Sequence, residues 1–176
     1  MAISNVLQQY EYLPYPTMPV EKITPTPEQL FNYCCATAWH LKCQAMPPGN
    51  LRILDVGCGT GFKTMLLAAA NPGCHVTGLD FSAQSLKVAR ERALACGFPE
   101  ITFHELAVDD IETLGESWDY INCQDVMYMV PDSLKALAGL RSVLSADGII
   151  RFDFHARYSR ADMLRAQAVV FLIEGP

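Results

Sequence analysis

The sequence predicts an α/β protein built on an open parallel sheet with helices on both faces. Three observations predict it. Strand-like apolar runs alternate with helix-like stretches at five places along the chain, the pattern of strands joined by crossover helices. The run Ile53-Leu54-Asp55-Val56 leads directly into glycines at every second position, Gly57, Gly59 and Gly61, and then into residues able to open a helix. A second apolar run, Cys74 to Leu79, ends in Asp80, about twenty residues beyond the glycines, where dinucleotide folds place an acid for the ribose hydroxyls.

Composition bounds the class. A chain of 176 residues fits one domain, and 51% hydrophobic with 18% charged residues is globular rather than disordered. A net charge of −6 without a Lys/Arg cluster argues against nucleic acid as partner. Seven cysteines include no C-x-x-C pair, and Cys34 and Cys35 are adjacent. That suits neither a disulfide framework nor zinc spacing, so they read as reduced core residues. His40, His75, His104 and His155 are scattered, so no metal is expected. The start lacks a basic region followed by an apolar core, and no uncharged apolar run approaches a membrane span. The expectation is a soluble cytoplasmic protein.

Taken in order, residues 1–25 combine tyrosines with prolines between Asn5 and Glu21. Proline removes donors and forces its predecessor into extended geometry, so this reads as an extended arm ahead of a domain at 26–176. Thr26-Pro27-Glu28 is an N-cap followed by proline at the first helical position, opening a helix to about Ala45 that stops before Pro47-Pro48-Gly49. The first strand starts at Leu51. After the glycines, Phe62 to Ala70 is a crossover helix ended by Asn71-Pro72-Gly73, and Cys74 to Leu79 is the second strand. Ser82 caps a helix to Ala95, with Leu86, Ala89, Ala93 and Leu94 inward and Lys87, Arg90, Glu91 and Arg92 outward. Gly97-Phe98-Pro99 ends it, and Ile101 to Glu105 is the third strand. Trp118 to Cys123 is the fourth, Asp132 to Val143 a helix, Ser145 to Gly148 a turn, Ile149 to Phe154 the fifth strand, and Tyr158 to about Ile173 a last helix.

The glycine turn is built for a ligand. Glycine admits positive φ and close approach, while the first N–H groups of the coming helix point outward unpaired. The third glycine comes one residue earlier than in G-x-G-x-x-G, and Asp55 stands two residues before the first. A carboxylate there would repel a pyrophosphate and suit an ammonium, so the ligand carries a positive amino-acid head. S-adenosyl-L-methionine is such a ligand. Ligands of parallel sheets lie beyond the carboxyl ends of the strands, which puts Gln124 and Asp125, after the fourth strand, at the cleft.

L-D-V-G-C-G-T-G (Leu54 to Gly61) resembles motif I of the class I S-adenosylmethionine-dependent methyltransferases, and G-L-D-F-S-A-Q-S-L resembles their motif II. The resemblance covers about residues 5 to 167. It implies a Rossmann-like sheet in order 3-2-1-4-5. Asp55, Gly57, Cys58, Gly59, Thr60 and Gly61 would then form the cofactor loop, Asp80 would hold the ribose and Phe81 would lie against the adenine. Ala107-Val108-Asp109 resembles the variant in which the Val108 backbone reads the adenine with Asp109 nearby; a plain acidic turn is the alternative. Y-E-x-x-P-Y-P resembles the segment leading into a bacterial branch of the family, with Tyr10, Tyr12 or Tyr15 closing the cleft, against the plainer reading of a strap over the domain. In the last helix, Arg160 matches an arginine often found there in the family. Where relatives commonly show Gly-Val-Leu-His-His, this chain has Asp125, Tyr128 and Met129. Asp125 could orient or deprotonate an acceptor, or bond the backbone. Asp125, Tyr128 and His155 are the candidates for catalysis, a base being optional for nitrogen or thiol acceptors.

Only 22 residues follow Phe154, too few for the hairpin of two further strands that completes the family's sheet, which needs on the order of forty. The fifth strand is therefore expected at an edge, covered by the last helix, by a second copy or by a longer parent chain. The reading is methyl transfer to a small-molecule or protein acceptor. The alternative is a cofactor-binding scaffold or regulator without catalysis, and an NAD-type reductase is disfavoured by the glycine spacing and Asp55.

Overall fold

The computed structural model describes residues 3–154, 156 and 160–174. Its sheet runs β3-β2-β1-β4-β5, with β1 Arg52–Val56, β2 His75–Asp80, β3 Thr102–Glu105, β4 Trp118–Cys123 and β5 Leu144–Phe152. Every neighbouring pair is parallel, and this is the predicted order. The order in which successive strands are added changes sides between β1 and β4, which opens a crevice at their carboxyl ends.

Side chains alternate across the sheet, and both faces are covered. Leu54, Val56, Trp118 and Ile121 pack against Val108 and Ile111 of a 3₁₀ segment, Val108–Leu114, and against Ala136 and Leu140 of α6, Ser133–Ser142. Ile53 and Tyr120 point the other way, onto Cys35 and Trp39 of α3, Cys35–Leu41, and onto Met65 of α4, Phe62–Ala70. A parallel strand with both faces buried reads as a near-continuous apolar run, which is why β1 and β4 were legible.

Several elements differ from expectation. The arm begins as a ten-residue helix, α1, Ile3–Tyr12, and only then becomes extended, because its first proline is Pro14 and nothing before it breaks a helix. The predicted helix to Ala45 is two: α2, Pro27–Tyr33, capped reciprocally by Thr26 and Gln29, then α3, with Cys34 extended between them. Asn71 explains the break. Its side chain accepts the Cys35 N–H and donates to the Tyr33 carbonyl, replacing helical partners at the interruption. The fifth strand starts at Leu144, not Ile149, and residues 145–148 loop out as an irregularity between Trp118 and Tyr120 of β4.

On α5, Ala83–Cys96, capped by Ser82, two assignments swap. Leu94 is 67% exposed and Arg92 only 1%. The inward stripe is Ser85, Leu86, Ala89, Arg92 and Ala93, a helical i, i+3/i+4 series into which Arg92 fits and Leu94 does not. The last helix, α7, is Ala161–Glu174. All seven cysteines are free; Cys35, Cys58 and Cys123 are buried and Cys43 is exposed, so the core expectation fails for Cys43.

Candidate functional site

A cavity of about 740 Å³ opens at the carboxyl ends of β1, β2 and β4, within the usual range for small-molecule sites. The turn after β1 curls over the end of β2, with the Gly57 and Cys58 N–H groups both donating to the Leu79 carbonyl at 2.7 and 3.0 Å. The chain can do this because Gly57, Gly59 and Gly61 all have positive φ. Of the residues expected at the cofactor, Gly57, Cys58, Gly59, Asp80, Phe81, Ala107, Val108, Asp109, Gln124 and Asp125 line the cavity.

Asp55, Thr60 and Gly61 do not line it, and each has a structural task instead. Asp55 lies on the sheet face covered by α4, 2% exposed, accepting from the Thr64 hydroxyl at 2.6 Å and from the Asn122 amide at 2.7 Å. Expected at the ligand's ammonium, its carboxylate is instead engaged beneath α4 and absent from the cavity lining. Burial pushes the Asp55 carboxyl above its usual range, opposed by those two hydrogen bonds and by Lys63. Thr60 holds the arm, its N–H donating to the Tyr15 carbonyl at 3.0 Å and its hydroxyl to the Pro16 carbonyl at 2.8 Å. Gly61 is the N-cap of α4 and packs on Ala89 of α5.

Asp80 accepts the Gly59 N–H at 2.8 Å through one carboxylate oxygen and the Ser82 N–H at 2.9 Å through the other. With the Phe81 backbone also donating, about one of the carboxylate's roughly four acceptor directions is left for a further donor. Burial raises its pKa, opposed by the backbone donors of Ser82, Gly59 and Phe81. Phe81 meets Tyr10 edge to face, ring centroids 5.9 Å apart. Tyr10 and Tyr15 line the cavity, whereas Tyr12 is exposed and does not. Burial and then Asp80 push the Tyr10 phenol up. Two buried oxygens at the cavity wall, Asp109 Oδ1 and Gln124 Oε1, have no hydrogen-bond partner among the described residues. Buried polar atoms are rarely left so.

At the mouth, Lys63 Nζ pairs with Asp125 Oδ2 at 2.6 Å. Asp125 has φ +64, and its N–H donates to Asp153 Oδ1 at 2.8 Å. The Tyr128 hydroxyl donates to Asp125 Oδ1 over 3.4 Å, and burial followed by the Asp125 charge pushes its pKa up to about 12. His155 lies outside the described residues. Sequence reasoning missed Lys63, although a lysine in the first turn of a helix opposes the helix dipole, and that is a readable sign of another task. It also missed the apolar wall of Val6 and Leu13 from α1 and its sequel and of Val130 and Pro131 after β4; Met129 and Arg160, both named from the sequence, line the cavity too. No cluster of His, Cys, Asp and Glu able to hold a metal occurs among the described residues. No described helix is long and apolar enough to cross a membrane.

A family model described as "Methyltransferase domain" matches residues 48–169. The chain is 34% identical to an uncharacterized protein of Synechococcus sp. over 94% of this chain and 40% of that protein. It is 34% identical to the ubiquinone biosynthesis O-methyltransferase of Paracidovorax citrulli over 67% of this chain and 49% of the relative. With the malonyl-[acyl-carrier protein] O-methyltransferase of Bacillus cereus it shares 32% identity over 69% of this chain and 47% of the relative. The chain thus spans about half the length, or less, of these curated relatives. The fold is shared with the plantazolicin methyltransferase BpumL, solved with a monoazolic desmethylPZN analog and SAH, at TM-score 0.63 and 19% identity, covering 78% of this chain and 50% of that one. It is shared equally with the [4+2]-cyclase SpnF, at TM-score 0.62 and 17% identity over 84% of this chain and 58% of the other.

Proposed function

Because the chain belongs to the methyltransferase-domain family, we propose that it is an S-adenosyl-L-methionine-dependent methyltransferase acting by in-line displacement. The observation that carries the reading is the cavity that gathers the glycine turn, Asp80-Phe81, Val108-Asp109 and Gln124 at one strand end. Asp80 takes the ribose hydroxyls, Phe81 and the Val108 backbone the adenine, and the unpartnered Asp109 and Gln124 oxygens accept from the ligand. With Asp55 buried, the ammonium of the methionine head falls to Asp125 and its carboxylate to Lys63, a charge pair complementary to a zwitterion.

The sulfonium activates the methyl group when the cofactor is bound. The protein aligns an acceptor lone pair opposite the C–S bond and excludes water, and such positioning can supply roughly 7–11 kcal/mol of barrier lowering. The new bond joins acceptor to methyl carbon while the C–S pair returns to sulfur. Oxygen acceptors fit best, as in the two named O-methyltransferase relatives, and the apolar wall suits an acceptor with an apolar body, as a small molecule or a protein-borne group.

The Y-E-x-x-P-Y-P segment supports a place in the bacterial branch, and free cysteines suit the reducing cytoplasm. The exposed Phe152 on β5 is where a second copy would lie. A binding module without transfer is the second reading, favoured by the departure at Asp125, Tyr128 and Met129 from the common His-His pattern.

Incubation with methyl-labelled cofactor and a cell extract separates the two. Label in an acceptor supports the enzyme, and cofactor binding with no labelled component supports the module. Tight NAD binding without adenosylmethionine binding removes both.

A further inference from the structure

Arg92 sits in the middle of α5 with its guanidinium buried and spreads it over three backbone carbonyls. Nε donates to Thr60 at 2.8 Å, one terminal nitrogen to Pro19 at 2.8 Å and the other to Met18 at 3.0 Å. The first carbonyl belongs to the glycine turn and the other two to the arm. Burying a cation is costly, and an apolar side chain of similar volume would pack there at less cost. What an apolar side chain lacks is a planar fork that reaches two segments at once.

The surroundings show what the fork joins. The arm follows α5 along its length: the Glu11 carboxylate accepts the Gln84 N–H at 3.3 Å at the helix start, Met18 and Pro19 meet Arg92 in the middle, and the Ile23 N–H reaches Cys96 Sγ at 3.5 Å at the end. Between these points the Tyr15 carbonyl lies against the glycine turn, accepting the Thr60 N–H, so close that a Cβ on Gly59 would run into it. Tyr10, Tyr15, Pro16 and Met18 are among the arm residues that form the cavity wall. The wall and the glycine turn are thus separate pieces of chain with Arg92 as their common anchor.

We propose that Arg92 is a positioning residue for the cofactor: by holding the arm and the glycine turn as one unit, it fixes the cavity wall against the loop that grips the nucleoside. It touches no ligand itself and acts through Thr60, Met18 and Pro19. The inference rests on the methyltransferase reading for the identity of the ligand but not for the anchor.

The test uses the full chain and the variants R92M and R92K, with calorimetric binding of S-adenosylhomocysteine and the rate of tryptic cleavage after Lys22, the first basic residue of the sequence. R92M, with circular dichroism and melting like the wild type, should bind at least tenfold more weakly and be cut at least tenfold faster. R92K keeps the charge without the fork and should fall between. A folded R92M with unchanged affinity overturns the proposal, whatever the cleavage rate. If R92M does not fold, R92K decides: native dichroism with weaker binding supports the proposal, and unchanged binding overturns it. Should the wild type refuse S-adenosylhomocysteine, the functional reading fails, and cleavage alone judges the anchor, a wild-type rate in R92M overturning it.

Discussion

Asp80 and Asp55 are both buried acids near the glycine turn, and their different neighbours give them different tasks. Asp80 lines the cavity, its carboxylate already accepting from backbone N–H groups and keeping room for a further donor. Asp80→Ala should weaken nucleoside binding by about 1.5–3 kcal/mol, roughly 10- to 150-fold, if both ribose hydroxyls bond the carboxylate. Calorimetry showing unchanged affinity removes the ribose assignment. Asp55 holds Thr64 and Asn122 together beneath α4, and burial raises its pKa. A carboxyl whose folded pKa exceeds its unfolded value binds more protons folded than unfolded between the two, so it contributes a stability that declines as pH rises through that interval. Asp55→Asn removes the titration and keeps an oxygen acceptor. The urea midpoint of the wild type relative to Asp55→Asn should therefore fall as pH climbs out of the usual carboxylate range. A difference constant with pH would show that Asp55 ionises normally. The sequence marked both acids, but which side of β1 Asp55 faces depends on sheet coverage that a glycine motif does not encode.

At the level of elements, the glycine turn divides its work between ligand and scaffold. Gly59 faces the cavity and the Tyr15 carbonyl, whereas Gly61 faces α5, where a Cβ would stand 3.0 Å from that of Ala89. Both have positive φ, so alanine at either position strains the backbone by roughly 1–2 kcal/mol before any collision. Gly61→Ala should lower unfolding stability by at least that much, because α4 and α5 must separate. Gly59→Ala should displace the arm and weaken nucleoside binding together, read as faster cleavage after Lys22 alongside a poorer dissociation constant. Binding and cleavage that move independently in Gly59→Ala would separate the arm from the site. Strands β1 and β4 and helix α4 were legible because apolar runs and glycine punctuation are local signals. The two short helices α2 and α3 were not, because the break at Cys34 is stabilised by Asn71, a residue far along the chain. Arg92 was misplaced for a related reason: a charged residue on an exposed-looking run becomes core only once the arm lies across it.

On the scale of the whole molecule, the order β3-β2-β1-β4-β5 makes the site a consequence of topology. The chain winds outward from β1 in one direction and from β4 in the other, so the loops after these strands part and leave the crevice between them. The alternation of elements points to an open parallel sheet and the motif I and II resemblance implies this order, which is why it was readable before any contact was known. The arm at the crevice was implied by the resemblance of its tyrosine-proline segment, but its opening helix was not legible, because α1 carries no glycine or proline signal and its packing on α5 involves residues more than seventy positions away. A ligand in that crevice touches segments from the arm, from three strand ends and from the loop after β4, so binding should stabilise the chain as one cooperative unit. Ligand at a hundred times its dissociation constant adds about 2.7 kcal/mol to unfolding. For a chain of this length that corresponds to a rise in melting temperature of roughly 5–10 °C. S-adenosylhomocysteine should produce that shift in a single transition followed by dichroism, and NAD at the same concentration should not. A shift with NAD alone would end the methyltransferase reading. A homocysteine-nucleoside shift confined to one of two resolved transitions would mean that the arm and the sheet do not close on the ligand together.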